Sequence, residues 1–267
     1  MYCKNKKMRI QISDTAKCDT FVNLFQHMKQ FTDYVNIIFS EDEMFIQSMD
    51  NGRVLVFEIH LPKQWFDVYE IGYGSITLGI STPLFFKVLN VRDKTQHLTL
   101  ETNDSSSLTI KLSDSTVKTI FDKQFELPML DIDYELMDIP EKDHQAEFTL
   151  ESAIFATLIN QLKIFGESVV ITCTEETIHL SSDSQELGKM MTNIPIDDLQ
   201  EFAIEEGETL NLNFSLKYIH DICLYQKINK FITIGVSRDF PMKVTYNLAS
   251  DMENATFCFY VAPRMED

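Results

Sequence analysis

Residues able to do chemistry are scattered along this chain, and their spacing offers little for catalysis. Asp131 and Asp133 stand at i and i+2 of what reads as extended chain. They face the same way, as a metal-binding or acid/base pair would, and a carboxylate-based metal hydrolase is the activity they could serve. The flanking segment is acidic throughout and supplies no third ligand, so the pair reads as part of a charge run. Glu41-Asp42-Glu43 reads in the same way as a hairpin tip. His27, His60, His97, His144, His179 and His220 show no ligand spacing. Cys3, Cys18, Cys173, Cys223 and Cys258 are odd in number and contain no C-x-x-C pair, so neither a disulfide framework nor a zinc site is expected. No phosphate loop, dinucleotide fingerprint, H-E-x-x-H or G-x-S-x-G occurs, and Gly72-Tyr73-Gly74 is too short to cradle a phosphate. We expect no catalytic residue, no metal and no cofactor: a binding protein rather than an enzyme.

The chain that must position these residues has 267 of them, 44% hydrophobic, enough for one large or two medium cores. Its first nine residues are basic but run into alternating R-I-Q-I-S without an apolar leader core, and no window approaches the ~20 apolar residues of a membrane span. An intracellular protein with no membrane partner is expected. The net charge of −18 argues against a nucleic-acid partner unless the charges are segregated, because a polyanion repels an acidic surface.

Segregation follows from an internal repeat. Phe21, Leu24, Met28 and Phe31 match Phe155, Leu158, Leu162 and Phe165, each 134 residues on. At the same offset V-N-I-I-F-S-E-D-E-M-F-I-Q-S from Val35 lies over V-V-I-T-C-T-E-E-T-I-H-L-S-S from Val169, and I-T-L-G-I-S from Ile76 over L-N-L-N-F-S from Leu210. One structural unit is used twice. Each copy opens with a segment of period 3.6, continues through hairpins of period 2, and has a second helix after a Ser/Thr start signal, expected over 84–92 and 216–227. Terminal hairpins are expected over 97–112, with a tip at 103–107, and over 231–246, with a tip at 238–241. The fold class is α+β, with helices layered on one face of a sheet.

The four predicted helices carry Lys17, Lys29, Lys87, Arg92, Lys163, Lys217 and Lys227 against only Asp19, Glu151 and Asp221. The chain is acidic overall and basic in one layer, which suits a protein that surrounds a polyanion without adhering to it from outside. Between the copies, residues 126–143 form an acidic, proline-bracketed stretch that interleaves Leu130, Ile132, Met137 and Ile139 with carboxylates. It reads as an extended connector that invites a partner.

I-Q-S-M-D at 46–50, L-D-I-D-Y-E-L-M-D-I-P-E at 130–141, S-V-V-I-T-C at 168–173 and F-Y-V-A-P-R-M-E-D at 259–267 together resemble the eukaryotic and viral sliding clamps of the proliferating cell nuclear antigen family. The resemblance runs from about Met8 to the last residue. It implies a basic extension at 1–7, clamp domains at 8–126 and 144–267, and a connector at 127–143. Three chains would close into a pseudo-sixfold ring, sheets outside and helices inside, around duplex DNA read without regard to sequence. The basic helix residues named above would line the bore. The resemblance further implies a homotrimer whose subunits meet through Ile120, Phe121 and Phe125 on one side and Leu187, Met190 and Ile194 on the other. Partners carrying a short helical motif, namely DNA polymerase, clamp loader, flap nuclease and DNA ligase, would dock on Met49, Asp50, Arg53, Val54, Met137, Ile139, Pro140, Pro241, Tyr260, Ala262 and Pro263. Work in a nucleus or a cytoplasmic viral replication site is implied.

The sequence departs from the family pattern at several of these places. Thr157 and Asn160 occupy positions that are arginine in familiar members, Glu175 stands where a modifiable lysine is usual, Arg53 replaces a histidine, and Met137-Asp138 replaces Leu-Gly. Within the same class, a subunit of a heteromeric checkpoint-type clamp and a monomeric viral processivity factor are the alternatives.

Overall fold

The computed structural model describes residues 7–102, 106–114, 119–133 and 135–264. The first half runs through β1 (Met8–Ile12), α1 (Thr15–Gln26), β2 (Tyr34–Phe39), β3 (Glu43–Met49), β4 (Leu55–Pro62), β5 (Val68–Ile71), β6 (Ile76–Ser81), α2 (Thr82–Leu89), β7 (His97–Thr102), β8 (Ser107–Ser113) and β9 (Lys123–Pro128). The second half repeats that order: β10 (Ala146–Glu151), α3 (Ser152–Leu162), β11 (Ser168–Cys173), β12 (Thr177–Ser184), β13 (Gly188–Pro195), β14 (Glu201–Ile204), β15 (Leu210–Ser215), α4 (Leu216–Cys223), β16 (Phe231–Ser237), β17 (Phe240–Asn247) and β18 (Thr256–Val261). Each element of the first half thus has a counterpart; β4 answers to β13 and β9 to β18. The α+β architecture read from the sequence is the one observed.

Two compact units result. Unit 1 comprises Met1–Asn51, Glu58–Leu136 and Leu248–Thr256, and unit 2 comprises Gly52–Phe57, Met137–Asn247 and Phe257–Asp267. In unit 1 an antiparallel sheet of order β5-β1-β7-β8-β9 accompanies the run β3-β2-β6. In unit 2 the sheet β13-β12-β11-β15 accompanies the run β14-β10-β16-β17.

Local chemistry fixes the same turns twice. Ser40 Oγ accepts from the N–H groups of Asp42 (3.3 Å) and Glu43 (3.2 Å), closing β2 onto β3. Thr174 Oγ1, 134 residues on, accepts from Glu176 (3.4 Å) and Thr177 (3.2 Å) to close β11 onto β12. A hydroxyl that mimics a backbone acceptor is what a tight turn of this kind requires. The helices bury one stripe each: Cys18, Phe21, Leu24 and Phe25 on α1, Phe85, Val88 and Leu89 on α2, Phe155, Ala156, Ile159 and Leu162 on α3, and Leu216, Ile219, Ile222 and Cys223 on α4. In unit 1 Phe25 meets Phe85 edge-on at 4.7 Å between ring centroids, locking α1 to α2. In unit 2 Tyr225 meets Phe257 in the same way at 4.9 Å. The four described cysteines are buried and form no disulfide among the described residues, and Cys3 lies outside them.

Three expectations are corrected in detail. The second helix of each copy is shorter than the sequence suggests, ending at Leu89 and Cys223, and Lys29 sits on a 3₁₀ turn (Met28–Gln30) rather than in α1. Arg92 therefore lies beyond α2. Its guanidinium, 4% exposed, ion-pairs with Asp19 and donates to the carbonyls of Lys94 (2.9 Å) and Gln96 (2.8 Å), so it ties a loop together instead of facing solvent. The tip of the β16–β17 hairpin is two residues, 238–239, with Pro241 already in β17; the tip of β7–β8 lies partly outside the described residues.

One clasp in unit 1 is sensitive to pH. His60 Nδ1 lies 3.1 Å from Glu43 and Nε2 lies 3.8 Å from Glu58. Burial alone would push the imidazole pKa down, but the hydrogen bonds and charges of both carboxylates outweigh it and hold the pKa up to about 9. Because the folded value lies above the unfolded one of about 6.5, the clasp contributes fully below pH 6.5 and fades as pH rises through 9. The urea midpoint of wild type relative to His60→Gln should therefore shrink from pH 6 to pH 9.5; a constant difference would show that the imidazole is not the charged partner.

Candidate nucleic-acid and partner interfaces

The cations expected to meet DNA divide by what they do. Lys29, Lys87, Lys163, Lys217 and Lys227 are exposed, and none forms an ion pair among the described residues. Lys217 Nζ stands 5.0 Å from the Tyr218 ring, which leaves its charge in solvent. Lys17 is different: its ammonium donates to the Trp65 carbonyl (2.9 Å) and lies 5.6 Å from the indole centroid, so it caps the core. With Arg92 buried, unit 1 offers Lys29 and Lys87, and unit 2 offers Lys163 at the C-cap of α3 with Lys217 and Lys227.

The outer face of α3 carries no charge. Ala153, Ile154, Thr157, Asn160 and Gln161 are exposed there, Ile154 at 53%, and Ile164 just beyond the helix at 63%. Thr157 Oγ1 returns to the Ala153 carbonyl (2.8 Å), so even its hydroxyl is engaged within the helix. Glu175 likewise has a local role, its Oε1 accepting from Gly207 N–H (2.8 Å), where the chain turns at positive φ.

Of the residues expected to take partner motifs, Met49 and Asp50 fall in unit 1 and the others in unit 2. Asp50 is buried, whereas Arg53 is exposed in the turn before β4 with φ of 56°, a left-handed conformation uncommon for a residue with a side chain. Within unit 2 Ala262 N–H donates to Val54 O (2.9 Å), joining two expected pocket residues, and Phe57 meets Phe257 (6.0 Å) and Phe259 (6.4 Å) close by. The start of β4 thus lies beside β18. Tyr260 is half-buried with Lys243 Nζ 5.9 Å from its ring centroid. Met137, Ile139 and Pro241 are half-buried, and Pro140 and Pro263 exposed.

The expected subunit contacts lie on or beside terminal strands. β9 ends one sheet in unit 1 and β13 ends one in unit 2. Phe121 is 79% exposed before β9, held out on a backbone fastened by fully buried Gln96, whose Nε2 donates to the carbonyls of Phe121 (2.9 Å) and Leu112 (3.3 Å). Ile120 and Phe125 are half-buried beside it. Leu187 is 62% exposed before β13, Met190 is half-buried and Ile194 is mostly buried; exposed Met191 joins them, a residue the sequence reading passed over.

The connector begins as a strap along an edge of unit 1. Leu130 N–H donates to Gly79 O (2.8 Å), and Asn36 Nδ2 donates to Ile132 O (3.1 Å). A Cβ at Gly79 would collide with the Leu130 carbonyl as it lies, so a side chain there forces the strap to shift. Unit 2 repeats the arrangement 134 residues on, where Arg264 N–H donates to Asn213 O (2.7 Å). Gly79 and, at a different place in unit 2, Gly235 had a signal in the sequence: I-T-L-G-I-S at 76–81 and I-T-I-G-V-S at 232–237 each set a glycine inside an alternating strand, a mark of close backbone approach.

Among the described residues no three His, Cys, Asp or Glu side chains gather as metal ligands, and no helix is long and apolar enough to cross a membrane. Asp131 and Asp133 are exposed. The thiol of Cys173 is pushed up to about 12 by burial, far from a nucleophile's range.

Two copies of an antiparallel unit, each with a pair of packed helices and exposed lysines near them, define the class of DNA clamps. The N-terminal domain of proliferating cell nuclear antigen matches residues 12–136 and its C-terminal domain matches residues 138–264; the chain belongs to the proliferating cell nuclear antigen family. That family consists of non-enzymatic clamps serving DNA replication and repair.

Gly79→Ala should lift the connector strap, costing about 1–3 kcal/mol as overpacking does and raising hydrogen exchange at Leu130; unaltered exchange there would mean that the strap tolerates a side chain.

Proposed function

We propose that the chain is a DNA sliding clamp: three copies close head to tail into a ring that encircles duplex DNA and tethers a DNA polymerase, with clamp loader, flap nuclease and DNA ligase as further partners. Its place of work is then wherever DNA is copied, a nucleus or a cytoplasmic viral replication site. The observation that carries the reading is one of equivalence. Within unit 2 the start of β4 lies beside β18, joined by the Ala262–Val54 hydrogen bond. The counterparts of those strands, β13 and β9, are both left at sheet edges with Phe121, Leu187 and Met191 exposed nearby. Bare edges are a liability that a second copy removes by offering β13 to β9.

Encirclement then substitutes topology for affinity. Lys29, Lys87, Lys163, Lys217 and Lys227 need only touch phosphates weakly and without base readout, so that the ring slides and the tethered enzyme stays at high local concentration. The uncharged outer face of α3 fits this reading, since few contacts per unit mean low friction.

Two measurements decide. Sedimentation equilibrium should return about three times the 31.0 kDa chain mass, and a stable monomer at micromolar concentration would remove the ring. Lys29→Gln, Lys87→Gln and Lys217→Gln together should keep the assembly intact, lower polymerase stimulation on DNA, and flatten the dependence of DNA binding on salt. Undiminished stimulation would take these lysines away from the DNA path.

A further inference from the structure

The chain leaves the connector and enters β10 through His144 and Gln145, and both are fastened to the β16–β17 hairpin of the same unit. Gln145 N–H donates to Ser237 Oγ (3.1 Å), and Gln145 Oε1 accepts from Arg238 N–H (2.9 Å). The His144 ring lies directly on Gly235, where a Cβ would overlap Cγ, Cδ2 and Nε2 of the imidazole. Phe240 approaches the same ring, its centroid 6.0 Å away, and Ser237 Oγ lies 3.5 Å from Nδ1. The room comes from the missing side chain at Gly235, beside a register shift of β16 against β17 between Gly235 and Ser237, both buried. Phe240 is followed directly by Pro241. One imidazole therefore touches both the strand beneath the end of the connector and the residue preceding Pro241.

Residues 135–143 form no helix or strand, so their course depends on how their ends are held. We propose that His144, packed on Gly235, is a positioning residue for partner recognition: it sets the connector's C-terminal end against the β16–β17 turn, and so sets where Met137, Ile139 and Pro140 meet an incoming motif. The inference rests on the partner-binding role proposed above and adds to it the device that shapes the site. The residue type at 235 acts without touching the partner, by deciding whether the imidazole can stay. Any side chain there drives the ring out, and the connector end moves with it.

The test uses the full assembled chain and two readouts. Gly235→Val should raise hydrogen exchange across 137–143 several-fold. The same variant should weaken, at least tenfold, a synthetic peptide bearing one aliphatic and two aromatic anchors in a single helical turn with basic flanks. His144→Gly alone should raise exchange and weaken the peptide to a similar degree, and His144→Gly combined with Gly235→Val should be no worse than either single variant, because both changes remove one and the same contact; simple loss of structure at two places would add instead. Wild-type exchange and affinity in Gly235→Val or in His144→Gly, or a double variant impaired by the sum of the two, would overturn the proposal. Should Gly235→Val fail to fold, Gly235→Ala, which adds only the overlapping Cβ, is measured identically. A wild-type protein that ignores the peptide would overturn the partner reading and the recognition part of this proposal with it, whereas the exchange arm still decides whether the clasp holds the connector.

Discussion

Every strand at the margin of a sheet leaves a row of N–H and C=O groups that must find partners, and the organisation of this chain follows from how those margins are closed. β6 is covered by the start of the connector through Leu130 and Asn36, and β15 by the segment around Arg264. β9 and β13 stay at their edges, as do the four-residue strands β5 and β14. The chain covers β6 and β15 with its own backbone, whereas β9 and β13 have exposed Phe121, Leu187 and Met191 beside them, which is what makes them the margins offered to another copy in the ring proposed above. Under the proposed ring, the link from packing to function runs through those bare margins.

Electrostatics act on a second level. Arg53, Lys142 and Lys189 are exposed on other parts of the chain, while of the cations expected on the helices Lys29, Lys87, Lys163, Lys217 and Lys227 remain in solvent. Their number is smaller than sequence alone suggests, because a charge on a helix is not the same thing as a charge at a surface. Lys17 lies over an indole and donates to a buried carbonyl, and Arg92 gathers a loop around itself. Both stabilise unit 1 by satisfying carbonyls that would otherwise be poorly hydrated.

Much of this was legible in the sequence. The 134-residue offset announced two units, the apolar spacing of Phe21, Leu24, Phe25 and Met28 announced the stripe buried beneath α1, and the alternation after Val35 and Val169 announced the hairpins. What stayed hidden depends on tertiary neighbours. The early end of α2 is enforced by Arg92 reaching carbonyls beyond it, and no local preference reports that. The pocket residues follow from family resemblance, while the elements that hold the connector do not: Gly79 and Gly235 reveal their purpose only when the Leu130 carbonyl and the His144 ring are seen resting on them. A glycine in a strand flags a close approach without saying what approaches.

The matching exits at Leu130 and Arg264 bear on ancestry. Both copies leave their sheets by laying the outgoing backbone along the same neighbouring strand, as duplication of one unit together with its outgoing segment would leave them. The acidic bridge is thus the first copy's outgoing segment carried on into the second, and past Leu130 its described residues form no helix or strand of their own.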